Sequence, residues 1–195
     1  MCINASILYK ELFRSKIASN SINLCIDYNN YSDIFSIIDD IEKLNVEIHF
    51  LNINSQNISK LNIELQKYNY KKIYFYSENI LNFNTNKKFN NIIFFDLFTI
   101  FSDDIISFNI DRTKLFVKNE YSNLIFINNV VTKYFNYMYH PMSYINYFFK
   151  NNVYIETMFD KIRENNLYIV DSHRLFTVEI LTYPFEYFSV ISRHK

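Results

Sequence analysis

The chain has 195 residues, and its 49% hydrophobic and 21% charged residues are ordinary for a globular protein that can bury a core. Twenty basic and twenty acidic residues give a net charge of zero, and no basic stripe of the kind that binds nucleic acid stands out. The chain contains no glycine. This excludes the standard phosphate-binding loop, the G-x-G-x-x-G turn and the G-x-S-x-G elbow, because all three need backbone without a Cβ.

The composition also bears on origin and location. Asn, Ile, Lys, Phe and Tyr are abundant while Gly, Ala, Pro and Trp are scarce, which indicates an AT-rich genome such as that of an organelle, a virus or phage, or a reduced bacterium. Cys2 and Cys25 are too far apart for a disulfide framework, which favours a reducing compartment. No apolar run reaches the ~18 residues of a membrane span, and no signal peptide is evident. We expect a soluble protein of the cytoplasm or an organelle matrix.

Strands and helices alternate through the first half of the sequence. A short helix is predicted at about residues 5–18, before the first apolar run. The other predicted helices show apolar stripes at helical spacing, and the predicted strands are short apolar runs between polar turns. In chain order these are strand 21–27, helix 31–45, strand 46–53, helix 57–69, strand 70–78 and, after an Asn- and Lys-rich loop, strand 91–96.

The second half is less regular. Residues 113–120 and 123–129 are two apolar runs that we interpret as strands. An aromatic stretch at 131–149, broken by His140 and Pro141, follows them. We predict a helix at 153–164, a strand at 166–171 and a mixture of helix and strand over 174–191.

This alternation predicts a fold. Strands that alternate with helices of about a dozen residues imply βαβ units and a mostly parallel sheet. Near-continuous apolar strands fit a sheet that is covered on both faces. We therefore predict a Rossmann-like three-layer α/β domain at 1–130. Residues 131–195 are predicted to form an irregular, aromatic-rich C-terminal extension packed on the same domain.

Acidic residues follow several predicted strands. In open α/β sheets, ligands bind outside the carboxyl ends of the parallel strands, so acids at these ends are expected to share one edge. Such acids could bind a metal, accept hydroxyl hydrogens from a sugar or act as a general base. The structural alternative is that Asp simply begins loops and caps helices. The acids at predicted strand ends are Asp27, Glu78, Asp96, Glu120 and Asp171.

We select Asp96, Asp27 and His173 as candidate catalytic residues. Asp96 interrupts the apolar run NNIIFFDLFTIF, which indicates a buried strand that emerges at a cleft. His173 closely follows Asp171 and would add an acid–base group, while Arg174 would add a fork that binds anions.

The remaining histidines have structural interpretations. His49 lies inside a predicted strand and is expected to be a packed imidazole, His140 precedes proline in a turn, and His194 is in the tail. The sequence shows no H-E-x-x-H motif and no paired Cys and His spacing, so we predict no zinc site and assign no residue as a metal ligand.

The segment IIFFDLFTIF, residues 92–101, resembles the first motif of haloacid-dehalogenase-type hydrolases. This resemblance implies that Asp96 is a nucleophile that forms a covalent aspartyl intermediate, with Thr99 or Ser102 on the loop that follows. The glycine of that motif is absent here, and Phe98 replaces its second acid.

A second resemblance is at the level of the fold. Rossmann-like alternation over 21–129 followed by YIETMFDKIRENNLYIV, residues 154–170, is similar in layout to glycosyltransferases with two Rossmann domains. The resemblance implies that Glu156 or Glu164 binds the ribose of a nucleotide-sugar donor, and that Asp27 and Asp96 face the acceptor. We add Arg174 to Glu156 and Glu164 as a candidate for binding this cofactor.

Three functions follow as hypotheses. The first is a glycosyltransferase-like domain that binds a nucleotide-sugar and transfers the sugar to an acceptor. The second is a non-catalytic structural or interaction subunit of a larger assembly, such as an organellar ribosome or a viral or phage particle, which docks a protein partner through 131–149. The third is a haloacid-dehalogenase-like phosphohydrolase with Asp96 as its nucleophile.

Overall fold

The strands of the chain form one mixed sheet. The computed structural model describes residues 10–12, 15–26, 31–51, 53–100, 102–131, 153–180 and 183–195. The sheet has the order β3-β2-β1-β4-β5-β8-β7, with β6 paired to β5 outside this path. The strands are β1 (Ile22–Ile26), β2 (Glu47–Leu51), β3 (Ile73–Phe75), β4 (Asn91–Phe95), β5 (Asn123–Val131), β6 (Val153–Tyr154), β7 (Leu167–Ile180) and β8 (Tyr183–His194).

Strand direction confirms the predicted fold class. Strands β1 to β5 pair with their neighbours in parallel, and β8 runs antiparallel to both β5 and β7. The result is the predicted Rossmann-like α/β fold with a mostly parallel sheet. The division at residue 130 stays a prediction, although β7 and β8 lie in the same sheet as β1 to β5.

Helices cover both faces of this sheet. A 3₁₀ helix (Tyr31–Ile37) leads into α1 (Ile38–Leu44), which with α2 (Ser55–Leu65) packs on one face. The short α3 (Leu97–Ile100), α4 (Asp103–Thr113) and α5 (Ile155–Glu164) pack on the other. Because successive strand residues point to opposite faces, one strand feeds both cores: in β4, Ile93 joins the first core and Phe94 the second. Within the described part of the chain, no helix is long and apolar enough to cross a bilayer.

Three sequence predictions about this architecture are wrong. The run 113–120 is not a strand: α4 ends at Thr113, a turn follows, and Val117 makes one isolated bridge to Phe89. The strand predicted to end at Asp171 continues to Ile180, because it pairs with β8 along its length. The segment 174–191 is not a mixture of helix and strand, since its described residues lie in β7 and β8.

Candidate functional site

The carboxyl ends of the parallel strands meet at one edge of the sheet, which we call the carboxyl edge. Ile26 at the end of β1 pairs with Leu51 at the end of β2 and with Phe94 of β4. Phe95 in turn pairs with Ile127 of β5. The residues that directly follow these strands therefore lie at the carboxyl edge. Asp27 lies outside the described residues, so its predicted role at this edge stays a prediction.

Asp96 is placed at this edge by the end of β4. Its backbone N–H donates to the carbonyl of Ile127 at 2.8 Å, which extends the pairing with β5 by one residue. Its φ is 54°, a left-handed conformation that Asp tolerates better than most residues with a Cβ. The chain then turns directly into α3 at Leu97. Within Asn91–Phe98 every residue except Asp96 is buried, so the interrupted apolar run does mark the emergence of a buried strand.

Further polar residues lie at or just beyond the carboxyl edge. Asn54 follows β2, and its Oδ1 accepts from the backbone N–H of Gln56 at 2.9 Å, which caps α2. Glu78 follows β3 and is exposed. Helix α5 begins directly after β6, which pairs with the carboxyl end of β5, so the exposed Glu156 in its first turn shares this end of the sheet.

Glu156 and Glu164, the two alternative candidates for binding the ribose, lie at different ends of the sheet. Glu164 is the last residue of α5, whose ten residues span about 15 Å at 1.5 Å per residue. The chain then enters β7 at Leu167, which pairs with His194 near the amino ends of the parallel strands. Glu164 therefore lies at the opposite end of the sheet from Glu156. Glu120 precedes β5 and is likewise not at the carboxyl edge.

His173 and Arg174 lie to the side of the carboxyl edge. His173 pairs across β8 with Ser189, which pairs with Ile127, so His173 is level with the end of β4. His173 and the end of β4 are nevertheless three strands apart, which is about 14 Å at 4.8 Å per strand. Arg174 is the next residue and is exposed. The catalytic role of His173 and the binding role of Arg174 stay predictions.

Asp171 has a structural function. It lies within β7, where its Oδ2 accepts from the half-exposed His173 at 2.6 Å and from Lys16 Nζ at 3.2 Å. Partial burial by itself raises the pKa of Asp171, but the hydrogen bonds from His173 and Lys16 outweigh it and leave the pKa lowered. The ionised carboxylate thus ties the N-terminal segment to β7. The predicted convergence of Asp171 with Asp96 is wrong, because Asp171 is level with Ile125, the third residue of β5, whereas Asp96 follows the residue that pairs with Ile127.

His49 is buried in β2, as predicted, but it is the centre of a polar cluster that sequence reasoning missed. Its Nε2 is 2.7 Å from Glu47 Oε1 and its Nδ1 is 2.9 Å from Tyr76 Oη, while Tyr74 stacks on the ring. Lys87 also bonds Glu47. The i, i+2 spacing of Glu47 and His49 on one strand was a visible signal, because such residues share a face.

The charge state of this cluster follows from its surroundings. Burial lowers the pKa of His49 by more than the nearby carboxylate of Glu47 raises it. Burial alone would raise the pKa of Glu47, but the hydrogen bonds of Lys87 and His49 outweigh it and lower that pKa. His49 is therefore neutral, donates through Nε2 to the Glu47 carboxylate and accepts at Nδ1 from the Tyr76 hydroxyl. These contacts hold β2 against the residues that follow β3.

Comparison with known proteins identifies the fold. No protein-family model matches the sequence, and a search of curated proteins finds no match. Among solved structures, the N-methyltransferase NodS from Bradyrhizobium japonicum matches with a TM-score of 0.64 and 11% identity, over 98% of this chain and 94% of that one. An S-adenosylmethionine-dependent methyltransferase from Clostridium acetobutylicum matches with a TM-score of 0.65 and 9% identity, over 98% and 91%.

A third match is geranyl diphosphate C-methyltransferase from Streptomyces coelicolor, with a TM-score of 0.65 and 9% identity, over 98% of this chain and 76% of that one. That structure and a second structure of NodS contain S-adenosylhomocysteine. At these identities the likeness concerns the fold alone: the chain has the Rossmann-like fold of these methyltransferases.

These matches correct the functional predictions. The resemblance to glycosyltransferases with two Rossmann domains is wrong, because the matches to methyltransferase structures cover 98% of the chain. The resemblance to haloacid-dehalogenase-type hydrolases, with Asp96 as nucleophile, is contradicted by the same matches. A nucleotide-sugar cofactor is likewise not supported, since both of these matched complexes contain S-adenosylhomocysteine. The same matches speak against the structural-subunit alternative, since the matched proteins are methyltransferases. Its docking segment 131–149 lies, apart from Val131, outside the described residues.

Proposed function

We propose that the chain is an S-adenosylmethionine-dependent methyltransferase whose site is the carboxyl edge. The observation that carries the proposal is the strand order β3-β2-β1-β4-β5-β8-β7 with β8 antiparallel, in a fold that matches known methyltransferases over 98% of the chain. In sheets of this type ligands bind beyond the carboxyl ends of the strands. Asp96 follows the central strand β4 at that edge.

The polar groups at this edge suit the proposed donor. S-adenosylmethionine has no phosphate, so a glycine loop that brings backbone N–H groups to a pyrophosphate is not required. The donor instead carries an ammonium group, a sulfonium group and ribose hydroxyls, which pair with carboxylate and amide oxygens. Glu78 and Asn54 follow β3 and β2 and offer such oxygens for the donor.

Asp96 and Glu156 have a different role in this proposal. The donor, when bound, supplies an electrophilic methyl group, and a nucleophilic atom of the acceptor must be oriented towards it. A carboxylate at Asp96 can accept a hydrogen bond from the acceptor and take up its proton. Its preceding strand is buried and paired on both sides, which fixes the position of the backbone. Glu156 at the same end of the sheet supplies a second carboxylate for the acceptor.

Binding of S-adenosylmethionine and S-adenosylhomocysteine tests this proposal. We expect both ligands to raise the melting temperature of the protein, because a ligand that binds only the folded state stabilises it, by about 2.7 kcal/mol at a hundredfold excess over Kd. ATP, which shares the adenosine but adds phosphates, is expected to have little effect. If neither sulfur ligand binds in thermal-shift and calorimetric measurements, the proposal is wrong.

The variant Asp96→Asn then tests the acceptor site. Asparagine keeps the size and tolerates φ of 54°, so folding and donor binding should change little. Methyl transfer, measured as S-adenosylhomocysteine formed with a responsive acceptor, should fall by roughly 10²-fold or more. Glu120→Gln, which removes an exposed acid before β5, is the matched control and should keep full activity. An Asp96→Asn variant with full activity would remove Asp96 from the mechanism.

A further inference from the structure

The outer face of helix α4 exposes apolar side chains that the fold does not use. The inner face carries Ile106, Ile110 and Thr113, which are buried against the sheet. On the outer face Ile105 is exposed, and Phe108 is exposed over 69% of its surface. A phenylalanine so exposed at the middle of a helix forfeits the stabilisation of burial, which is typical of an interaction surface.

Phe108 lines a groove of about 920 Å³. Leu81 and Leu115, both exposed, line the same groove and add to its apolar surface. We call this surface the α4 face. Its residues are Leu81, Asp104, Ile105, Ser107, Phe108, Asp111, Arg112, Lys114 and Leu115.

Charge is distributed along the α4 face in one direction. The first turn of α4 carries the two acids Asp103 and Asp104 and no base. Its last turn and C-cap carry two bases, Arg112 and Lys114, and one acid, Asp111, which pairs with Lys114 at 2.7 Å. Arg112 is held in place, since its Nη2 donates to the Phe83 carbonyl at 3.2 Å and its guanidinium lies 5.5 Å from the centre of the Phe116 ring. Phe108 lies midway between the two ends, so the face runs from an acidic end through an apolar centre to an end whose net charge is positive.

We propose that the α4 face binds a second copy of this chain. An acidic–apolar–basic face is complementary to itself when two copies are related by a two-fold axis at Phe108. The two α4 helices then run antiparallel, Phe108 contacts its symmetry mate, and Asp104 of each copy lies opposite Arg112 and Lys114 of the other. A parallel arrangement would instead bring like charges together.

The small area of the α4 face limits the affinity of this dimer. Helix α4 has eleven residues and is about 16 Å long, so the contact is much smaller than the ~800 Å² per partner of a standard interface. We therefore expect a reversible dimer with a Kd on the order of 10–100 µM.

Sedimentation velocity over a concentration series tests the dimer. The wild-type protein should pass from monomer to dimer across about 5–500 µM, and Phe108→Glu should remain monomeric over the whole range. The matched control is Tyr121→Glu, which places the same charge at a tyrosine that is 68% exposed but is not part of the α4 face, and which should dimerise as the wild type does. Circular dichroism verifies that each variant is folded.

A charge exchange tests the orientation. Asp104→Lys and Lys114→Glu should each weaken dimerisation at least fivefold. The double variant should recover it, because the charges at both ends of the face are then exchanged and opposite charges face each other again. The proposal is overturned by a wild-type protein that stays monomeric, by a Phe108→Glu variant that dimerises unchanged, or by a double variant no better than the single ones. None of these outcomes depends on methyl transfer.

Discussion

Asparagine and aspartate take the backbone conformations that glycine would otherwise occupy. Among the described residues, those with positive φ are Asn20, Asn45, Asp96 and Asn166, at 60°, 53°, 54° and 58°. Asn45 is the left-handed C-cap of α1, and its N–H donates to the Glu42 carbonyl. In a chain without glycine these positions fall to Asn and Asp, since their short polar side chains lower the cost of the left-handed region.

The same residue type also has an opposite role, which composition did not indicate. Asn91 and Asn128 each belong to an Asn–Asn pair, a sequence typical of turns, yet both lie in strands and are buried. Composition therefore does not distinguish the asparagines that form turns from those in the core, and only the register of the strands does.

Two histidines, His49, which is buried, and His194, which is half-buried, predict how stability responds to acid. Full burial of His49 and partial burial of His194 lower the pKa of both in the folded protein. As the pH falls through the ordinary histidine value of about 6.5, the unfolded chain therefore takes up protons first, and the free energy of unfolding decreases. Each histidine contributes at most about 1.4 kcal/mol per pH unit in this window. Urea unfolding between pH 7 and 5 should show this loss, and His49→Gln should reduce its slope.

Measurements at pH 8 serve as the control for this prediction. Both histidines are neutral there in either state, so any difference between His49→Gln and the wild type reports lost packing and hydrogen bonding only. The lowered pKa values of Glu47 and Asp171 affect stability at more acidic pH, where the carboxylates of the unfolded chain begin to protonate. They therefore do not account for a difference in slope between His49→Gln and the wild type. An unchanged slope in a variant lacking both His49 and His194 would contradict the prediction.

At the scale of the elements, a ladder of asparagine side chains joins neighbouring strands near their amino ends. Asn91 Nδ2 donates to Asn23 Oδ1 at 2.7 Å, and Asn123 Nδ2 donates to Asn91 Oδ1 at 3.0 Å. Asn23 also donates to the Glu47 carbonyl at 3.2 Å, and Arg193 Nε donates to Asn123 Oδ1 at 2.9 Å. Side-chain bonds thus connect β2, β1, β4, β5 and β8. A shift of any one of these strands by one residue would break its side-chain bonds to its neighbours, so the ladder favours one register.

Removal of the central rung should be costly. Asn91→Ala leaves Asn23 Oδ1 without its 2.7 Å donor and Asn123 Nδ2 without its acceptor. Each lost partner of a buried polar group costs about 1–3 kcal/mol, so we expect the free energy of unfolding in urea to fall by about 2–4 kcal/mol.

Asn86→Ala in the exposed loop before β4 is the matched control and should change stability by less than about 0.5 kcal/mol. If Asn91→Ala is as mild as this control, the ladder contributes nothing to stability.

At the scale of the molecule, the C-terminal hairpin completes the sheet that the first half begins. Strand β8 pairs with β5 from Leu124 to Val130, and β7 covers the other side of β8. Both cores also depend on this half of the chain: Ile191 packs in one core, and Met158, Ile162 and Val190 pack in the other.

A fragment of residues 1–130 should therefore fail to fold cooperatively. Without β8, the outer edge of β5 would expose its N–H and C=O groups, and the apolar surface under α5 would face water. We expect the fragment to lack a sharp thermal transition by circular dichroism, with the full chain as the control. A cooperative transition of the fragment would show instead that 1–130 is an autonomous domain.

The sequence by itself determined the parallel half of the fold. Strands β1, β2, β4 and β5 are short apolar runs because both of their faces are buried, and a pattern of this kind is local and visible in the residues. The absence of glycine was equally visible, as was the position of Asp96 at the end of a buried strand. Helix α4 was not predicted from the sequence. Its exposed Ile105 and Phe108 add apolar residues outside the buried stripe, so the apolar pattern is not restricted to one helical face.

Only the tertiary structure decided which acids share an edge. Asp171 appears in the sequence to end a strand, but pairing with β8 continues that strand to Ile180 and leaves Asp171 within the sheet. Glu120 and Glu164 lie away from the carboxyl edge because of the direction in which the chain runs, while Glu156 is brought to it by the short pairing of β6 with β5. The direction and the pairing of the strands are set by contacts between residues far apart in the chain, so a local sequence pattern does not predict them.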